Sequence, residues 1–359
     1  MEHINSNKIR IKSKNGWRVI GEGHPVFIIA EMSGNHNHDI NRAFKMIDVA
    51  TQAGVDAVKL QTYTPDTLTI DSHKKHFQIK VDKAWKGQSL YSLYQKAYTP
   101  WEWQPKLKKY AESKGLILFS TPFDETAVDF LEKMEVQIYK IASFEIVDIP
   151  FLKKIGNTKK PVIMSRGMAS LEEILLAINT LRKAGCPQIA LLQCISSYPA
   201  TYEEMNLATI PDMKKKFKTV VGLSNHALDN NIDIIATALG ASIIEKHFIL
   251  KRADGGPDAE FSLEPHELKL LVESVRKTEK TIGKPSYDAN KNEAKNIIFR
   301  RSLFVVKNIK KGEHFTSQNI RSIRPGNGLP PKCYDSILKK MAKKNISTGT
   351  PLSWDLVTK

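Results

Sequence analysis

The sequence is poor in cysteine: Cys186, Cys194 and Cys333 lie far apart and lack Cys-x-x-Cys spacing. Neither a disulfide framework nor a cysteine zinc site is expected, and a reducing cytoplasm fits best. No run of roughly 18 apolar residues occurs, which argues against a membrane-spanning helix. The polar, lysine-rich start, Met1 to Trp17, has no apolar stretch of the kind a secretion signal needs. Negative charge is also scarce, with 38 acidic residues against 54 lysines and arginines and a formal net charge of +16. Such an excess suits nucleic acid, an anionic surface or small anionic substrates, and charge alone does not separate these. Much of it lies in lysine runs such as Lys214 to Lys216 and Lys339 to Lys344, read as solvated helix faces. No recognisable nucleic-acid module accompanies them, so neither nucleic acid nor membrane is expected as a partner.

What is present is an ordinary globular composition, 41% hydrophobic and 26% charged, over 359 residues. That length allows one domain of about 250 residues and a smaller one. Short apolar runs rich in Val, Ile and Phe mark eight strands: Phe27 to Met32, Ala57 to Thr62, Leu116 to Phe123, Ile138 to Ser143, Val162 to Gly167, Ile189 to Ser196, Val220 to His226 and Ser242 to Leu250. Amphipathic segments such as Asn41 to Ala53 and Leu171 to Ala184 alternate with them, which points to parallel pairing through helical crossovers. The expected α/β fold is a (β/α)8 TIM barrel over residues 1–282, with an open doubly wound sheet as the alternative. Lys8 to Ile11 and Trp17 to Ile20 around Asn15-Gly16 read as a β-hairpin that plugs the barrel bottom.

A polar linker is expected over 283–295, and a small domain over 296–359 containing Ser302 to Val306, the turn-rich Arg324-Pro-Gly-Asn-Gly328 and a lysine-rich helix near Ile337 to Lys344. The long excursion Tyr63 to Gly115 carries Tyr91, Tyr94, Tyr98, Trp101 and Trp103. These aromatics are expected to pack the inserted helix against the barrel rather than to stack on a sugar.

Barrel chemistry sits at the C-terminal strand ends, and here nearly every strand ends in polar residues. They are Glu31 with Ser33 and Asn35, Lys59 with Gln61, Ser120 with Thr121, Lys140 with Ser143, Ser165, Ser196, Ser224 with His226, and Glu245 with His247. Side chains two apart share a face, so several pairs are expected to point together into the mouth. His226 and His247 end neighbouring strands, and two imidazoles with open positions suit a catalytic Mn²⁺, Fe²⁺, Co²⁺ or Zn²⁺. Lys59 and Lys140, with the hydroxyls of Thr121, Ser143, Ser165, Ser196 and Ser224, form a ring able to hold a phosphate and a carboxylate. Lysines at apolar strand ends call for a counter-ion: an anionic ligand, or an internal carboxylate such as Glu245, expected for one lysine rather than both.

These residues resemble those of the sialic acid synthases and their bacterial relatives. The resemblance is carried by Phe27-Ile-Ile-Ala-Glu-Met-Ser-Gly-Asn-His-Asn37, Val58-Lys-Leu-Gln-Thr-Tyr-Thr64, Gly222-Leu-Ser-Asn-His226, Ile244-Glu-Lys-His-Phe248 and Gly255-Gly-Pro-Asp258. The C-terminal part resembles the family's antifreeze-like (SAF) domain through Arg324-Pro-Gly-Asn-Gly328. Within the family the first two motifs are most similar to the pseudaminic acid branch, ahead of the N-acetylneuraminate and legionaminate branches. That implies condensation of phosphoenolpyruvate with 2,4-diacetamido-2,4,6-trideoxy-L-altrose and water, giving pseudaminic acid and phosphate.

The resemblance makes His226 and His247 metal ligands, with Mn²⁺ expected first and Co²⁺, Fe²⁺ or Mg²⁺ as alternatives. It assigns phosphoenolpyruvate to Lys59, Thr121, Lys140, Ser143, Ser165, Ser196 and Ser224, and the amino sugar to Glu31, Gln61, Tyr198 and Asp258. Arg324 is implied to reach the sugar bound to the other subunit of a domain-swapped homodimer. Glu31 is the expected acid/base group, and the metal is expected to polarise the sugar aldehyde. Asn225 stands where relatives commonly have Asp, a change that bears on orientation of the metal ligand, and Ser196 stands where some have Asn. A non-catalytic ice- or polyanion-binding protein is the reading from a different class.

Overall fold

The computed structural model describes residues 8–14, 16–80, 86–197 and 200–358. Eight strands, each buried on both faces, pair in parallel and in chain order to close a barrel: β3 (Phe27–Glu31), β4 (Ala57–Thr62), β5 (Ile117–Pro122), β6 (Tyr139–Ile141), β7 (Val162–Ser165), β8 (Ile189–Cys194), β9 (Val220–Asn225) and β10 (Ile243–His247). Each falls inside the interval expected from its apolar run. The β10 to β3 pairing, with His247 opposite Glu31, shuts the ring and excludes the open doubly wound sheet.

Period-two alternation separates two cores. Phe27, Ile29, Ala57, Phe119, Ile163, Ala190, Leu192, Val220 and Ile243 form the inner one, and the residues between them pack outward on the helices. The inner core is completed by Ile9, Ile11 and Ile20 of an antiparallel hairpin, β1 (Lys8–Ser13) and β2 (Gly16–Gly21), in which Ile9 faces Ile20. The hairpin therefore plugs the barrel as expected, with Asn15 of its turn outside the described residues.

The helices follow their local signals. Ile40–Ala53 starts where Asp39 accepts the Asn41 N–H and stops at Gly54, whose φ of 83° suits a residue without a side chain. Its buried stripe includes Met46 and Ile47, each worth roughly 1.5–3 kcal/mol relative to exposure. Leu171–Lys183 opens on a capping box between Ser170 and Glu173. In the excursion, the Trp101 indole donates to the Tyr63 carbonyl at 3.1 Å and Tyr94 lies edge-on to Tyr63, so these aromatics pack the insertion. Lys215 and Lys216 are solvated on a helix, Thr209–Phe217, that buries Met213 and Phe217.

The chain divides into two compact units between Gly283 and Lys284. The second begins with exposed backbone that includes a short helix, Lys291–Ala294. It carries an antiparallel pair, β11 (Ser302–Val305) and β12 (Ile320–Ile323), around a core of Leu303, Val305, Phe315, Ile320, Ile337 and Leu352. Gly328 has to be glycine, because a Cβ there would meet the Leu303 carbonyl at 2.3 Å. The lysine-rich helix expected near Ile337 to Lys344 does not form. The nearest α-helical turn, Tyr334–Ile337, ends where that helix was to begin. Beyond it the chain bridges to other segments: the Ala342 N–H donates to Glu313 and its carbonyl accepts from Gly312. Lysines four apart, Lys339 with Lys343 and Lys340 with Lys344, also repel on a helix. Among the described residues no helix is long and apolar enough to cross a membrane.

Candidate active site at the barrel mouth

The inward parity that buries Phe27 and Ile29 at the bottom of β3 turns Glu31 inward at its top. By the same count β4 contributes Lys59 and Gln61, β5 Thr121, β6 Lys140, β7 Ser165, β8 Cys194, β9 Ser224 and, just beyond its end, His226, and β10 Glu245 and His247. Ser143 and Ser196 follow β6 and β8 and hydrogen-bond each other at 2.7 Å. Ser120 has the opposite parity and bonds Thr62 outside the ring at 2.6 Å.

Charge in the mouth is balanced internally. Lys59 is salt-bridged to Glu31, stands 3.8 Å from Glu245 and donates to Thr121 Oγ1 at 3.2 Å. Lys140 Nζ lies 3.6 Å from Glu245 and donates to Ser165 Oγ at 2.7 Å. Glu245 also accepts from Ser224 Oγ at 3.0 Å. An internal carboxylate for only one lysine was expected, whereas Glu245 serves both, because it projects from β10 across the closed barrel. The lysines therefore do not by themselves demand an anionic ligand.

Burial and these neighbours set the protonation states. Burial, reinforced by Glu245, raises the Glu31 pKa against the pull of Lys59. Burial works against both Lys59 and Glu245, yet their opposite charges win, holding Lys59 above and Glu245 below their ordinary values. Lys140 is lowered by burial, and Asp258 is raised by it.

The two imidazoles stand with ring centroids 5.4 Å apart, and Phe261 presents its ring edge-on to both. His226 Nδ1 lies 2.9 Å from the Ile195 carbonyl, so Nδ1–H donates there. His247 Nδ1 is buried without a hydrogen bond, 3.8 Å from Asp258. Burial, with His226 and the nearby lysines, drives the His247 pKa well down and keeps the ring neutral. A neutral imidazole with an unused buried nitrogen, beside a second imidazole, fits a divalent metal with open positions. Among the described residues no group of three or more His, Cys, Asp or Glu side chains converges on such an ion.

Asp258 is held by Ser33, whose own N–H donates to Glu31 at 2.8 Å and whose φ of 47° is rare for a residue with a side chain. A cleft of about 900 Å³ adjoins it, lined by Asn37, His38, Lys96, Arg252 and Glu260 and by Pro257 and Ala259 on either side of Asp258. Tyr198 lies outside the described residues. Arg324 belongs to the second unit, exposed just past β12.

Sequence reasoning passed over Cys194 and Gly167. The parity of Ala190 and Leu192 points to Cys194, whose pKa burial would raise but His226 and Lys140 bring below its ordinary value. Gly167 has no periodic signal: only the fold shows that a Cβ there would lie 2.3 Å from Ser143 Cβ.

Residues 46–287 match the NeuB family, and residues 300–358 match the SAF domain. The chain is 43% identical to a pseudaminic acid synthase of Campylobacter jejuni over 91% of its own length and 95% of that protein's. It is 40% identical to an N,N'-diacetyllegionaminic acid synthase of the same species, over 89% and 96%. Its fold is similar to the crystal structure of an N-acetylneuraminic acid synthetase from Leptospira borgpetersenii, with TM-score 0.70, 34% identity and coverage of 81% and 96%.

Proposed function

The chain belongs to the NeuB family, and from that premise we propose that it condenses phosphoenolpyruvate with 2,4-diacetamido-2,4,6-trideoxy-L-altrose and water, releasing pseudaminic acid and phosphate. The observation that carries the reading is the convergence, at one end of a closed barrel, of two lysines, a set of hydroxyls and two adjacent imidazoles. The identity to pseudaminic acid synthases over most of both chains supports the choice of acceptor. A legionaminate acceptor is the second reading, favoured by the similarly close legionaminic acid synthase.

In the proposed reaction Lys59 and Lys140 neutralise the phosphate and carboxylate of phosphoenolpyruvate, and Thr121, Ser143, Ser165, Ser196 and Ser224 donate to their oxygens. Glu31, whose carboxyl is pushed toward its protonated form, gives up Lys59 to the incoming anion and handles the proton of the sugar hydroxyl or of the attacking water. Gln61 and Asp258 face the sugar, for which the adjoining cleft leaves room, and Tyr198 and Arg324 are assigned to it by resemblance. His226 and His247 would hold a divalent cation, Mn²⁺ first, which when bound supplies Lewis acidity toward the aldehyde oxygen. A homodimer is part of the proposal. Phe144 and Val147 at one turn are exposed, as are Leu171, Leu175 and Leu176 of the helix packed against that turn, a patch suited to a second copy.

The test is phosphate release with pseudaminate, legionaminate and neuraminate precursors in turn. Release should require phosphoenolpyruvate, one of the amino sugars and a divalent cation, and should vanish in His247→Ala with the circular dichroism unchanged. No release with any of the three sugars refutes the reading.

A further inference from the structure

The parity that turns His226 and His247 into the barrel turns their predecessors, Asn225 on β9 and Lys246 on β10, away from it. Both meet the same side chain. Asp233, in the first turn of the helix Asn231–Ala238, accepts from Asn225 Nδ2 at 3.1 and 3.0 Å and from Lys246 Nζ at 3.3 Å. Asn225 Oδ1 in turn takes the Ala227 N–H at 2.9 Å, and Lys246 Nζ donates to the Ala227 carbonyl. The residue before each histidine, and the residue after His226, are thus tied into one network through a single carboxylate. All of its side chains are buried, with Asp233 and Lys246 at 0% exposure.

Stability alone is a poor reason for this arrangement. A buried ion pair is often no better than packed apolar residues of the same volume, and the surroundings here are the apolar interface between strands and helices. Its place in the fold supplies a reason. A shift of the Asn231–Ala238 helix, or of either strand, would stretch these bonds and move the imidazoles relative to one another.

We infer that Asp233 is a positioning residue that yokes His226 and His247, setting the separation and orientation of the two rings through Asn225, Lys246 and Ala227. The inference rests on the reading that the two histidines hold a divalent cation. It also accounts for Asn225: the amide donates to a carboxylate supplied from Asp233, and a second carboxylate at 225 would face the first at hydrogen-bonding distance.

The experiment is Mn²⁺ titration of the full chain by electron paramagnetic resonance, with kcat and phosphoenolpyruvate KM measured beside it. Asp233→Asn keeps the shape of the side chain and removes its charge; Mn²⁺ affinity should fall by roughly 10-fold or more, with kcat reduced and phosphoenolpyruvate KM unchanged. The exchange variant, Asn225→Asp with Asp233→Asn, restores one carboxylate and one amide to the network and should recover most of the lost affinity. Native-like Mn²⁺ affinity in Asp233→Asn, or an exchange variant with a native unfolding transition and no recovery, overturns the yoke alone. A native chain that takes up no Mn²⁺ overturns the metal reading and this inference with it.

Discussion

Glu245→Gln removes a carboxylate that stands within 4 Å of both buried lysines, at 3.8 Å from Lys59 and 3.6 Å from Lys140. At an effective dielectric near 20, each of these attractions is worth about 4–5 kcal/mol before the cost of burying the charges. After that cost, losing one partner of a buried pair destabilises by roughly 3–5 kcal/mol, a fall of at least roughly 6 °C in the unfolding midpoint for a unit of this size. The sign with pH follows from Glu245 being held below its ordinary value of 4.5 in the fold. Its contribution is complete above that value and is lost as the pH falls through the lowered one, so native and variant should converge in acid. Phosphoenolpyruvate should raise the midpoint of the variant more than that of the native chain, because the anion replaces the missing negative charge. Denaturant and thermal melts with and without phosphoenolpyruvate measure both effects. A loss under about 1 kcal/mol, with no extra gain from the anion, would refute the claim that Glu245 neutralises both lysines.

His36 Nε2 bonds Thr99 Oγ1 at 3.0 Å, and burial pushes its pKa down from 6.5 to about 4. The unfolded chain takes up the proton first, so stability should fall by about 3 kcal/mol as the pH drops from 6.5 to 4; in His36→Gln, melts across that range should lose this dependence. Gly167→Ala places a Cβ 2.3 Å from Ser143 Cβ and 3.0 Å from Ser196 Oγ at a φ of 47°. It should split that hydroxyl pair and raise the phosphoenolpyruvate KM by roughly tenfold, and an unchanged KM would remove the pair from the anion site. Arg324→Ala should raise the sugar KM more than the phosphoenolpyruvate KM. In a swapped dimer, mixing it with His247→Ala should restore roughly a quarter of native activity, and no recovery would place the arginine in its own subunit or away from the sugar.

The barrel was legible because each strand is a short apolar run bounded by helix signals, and because eight in series have few other ways to bury both faces. Within the strands, counting by twos from Phe27, Ala57 or Ala190 tells which side chains enter the mouth, and it finds Cys194 as readily as Lys59. The same count says nothing of 338–344, where backbone bridges to Gly312 and Glu313 replace the helix that the lysines suggested. It is equally silent on Gly167, whose need for glycine arises from a loop crossing close to Ser143.

Local pattern by itself determined the eight strands, the hairpin before them and the polar residues at the strand ends, since alternation and capping act over a few residues; closure into a barrel rather than an open sheet was settled by the pairing of β10 with β3. The partnerships inside the ring were decided only in three dimensions. Glu245 reaches Lys59 and Lys140 because β10 closes beside β3 and its side chain crosses the lumen. Asp233 reaches both Asn225 and Lys246 because one helix lies over two adjacent strands. Electrostatic energy depends on separation in space, and neither set of distances is written in the spacing along the chain.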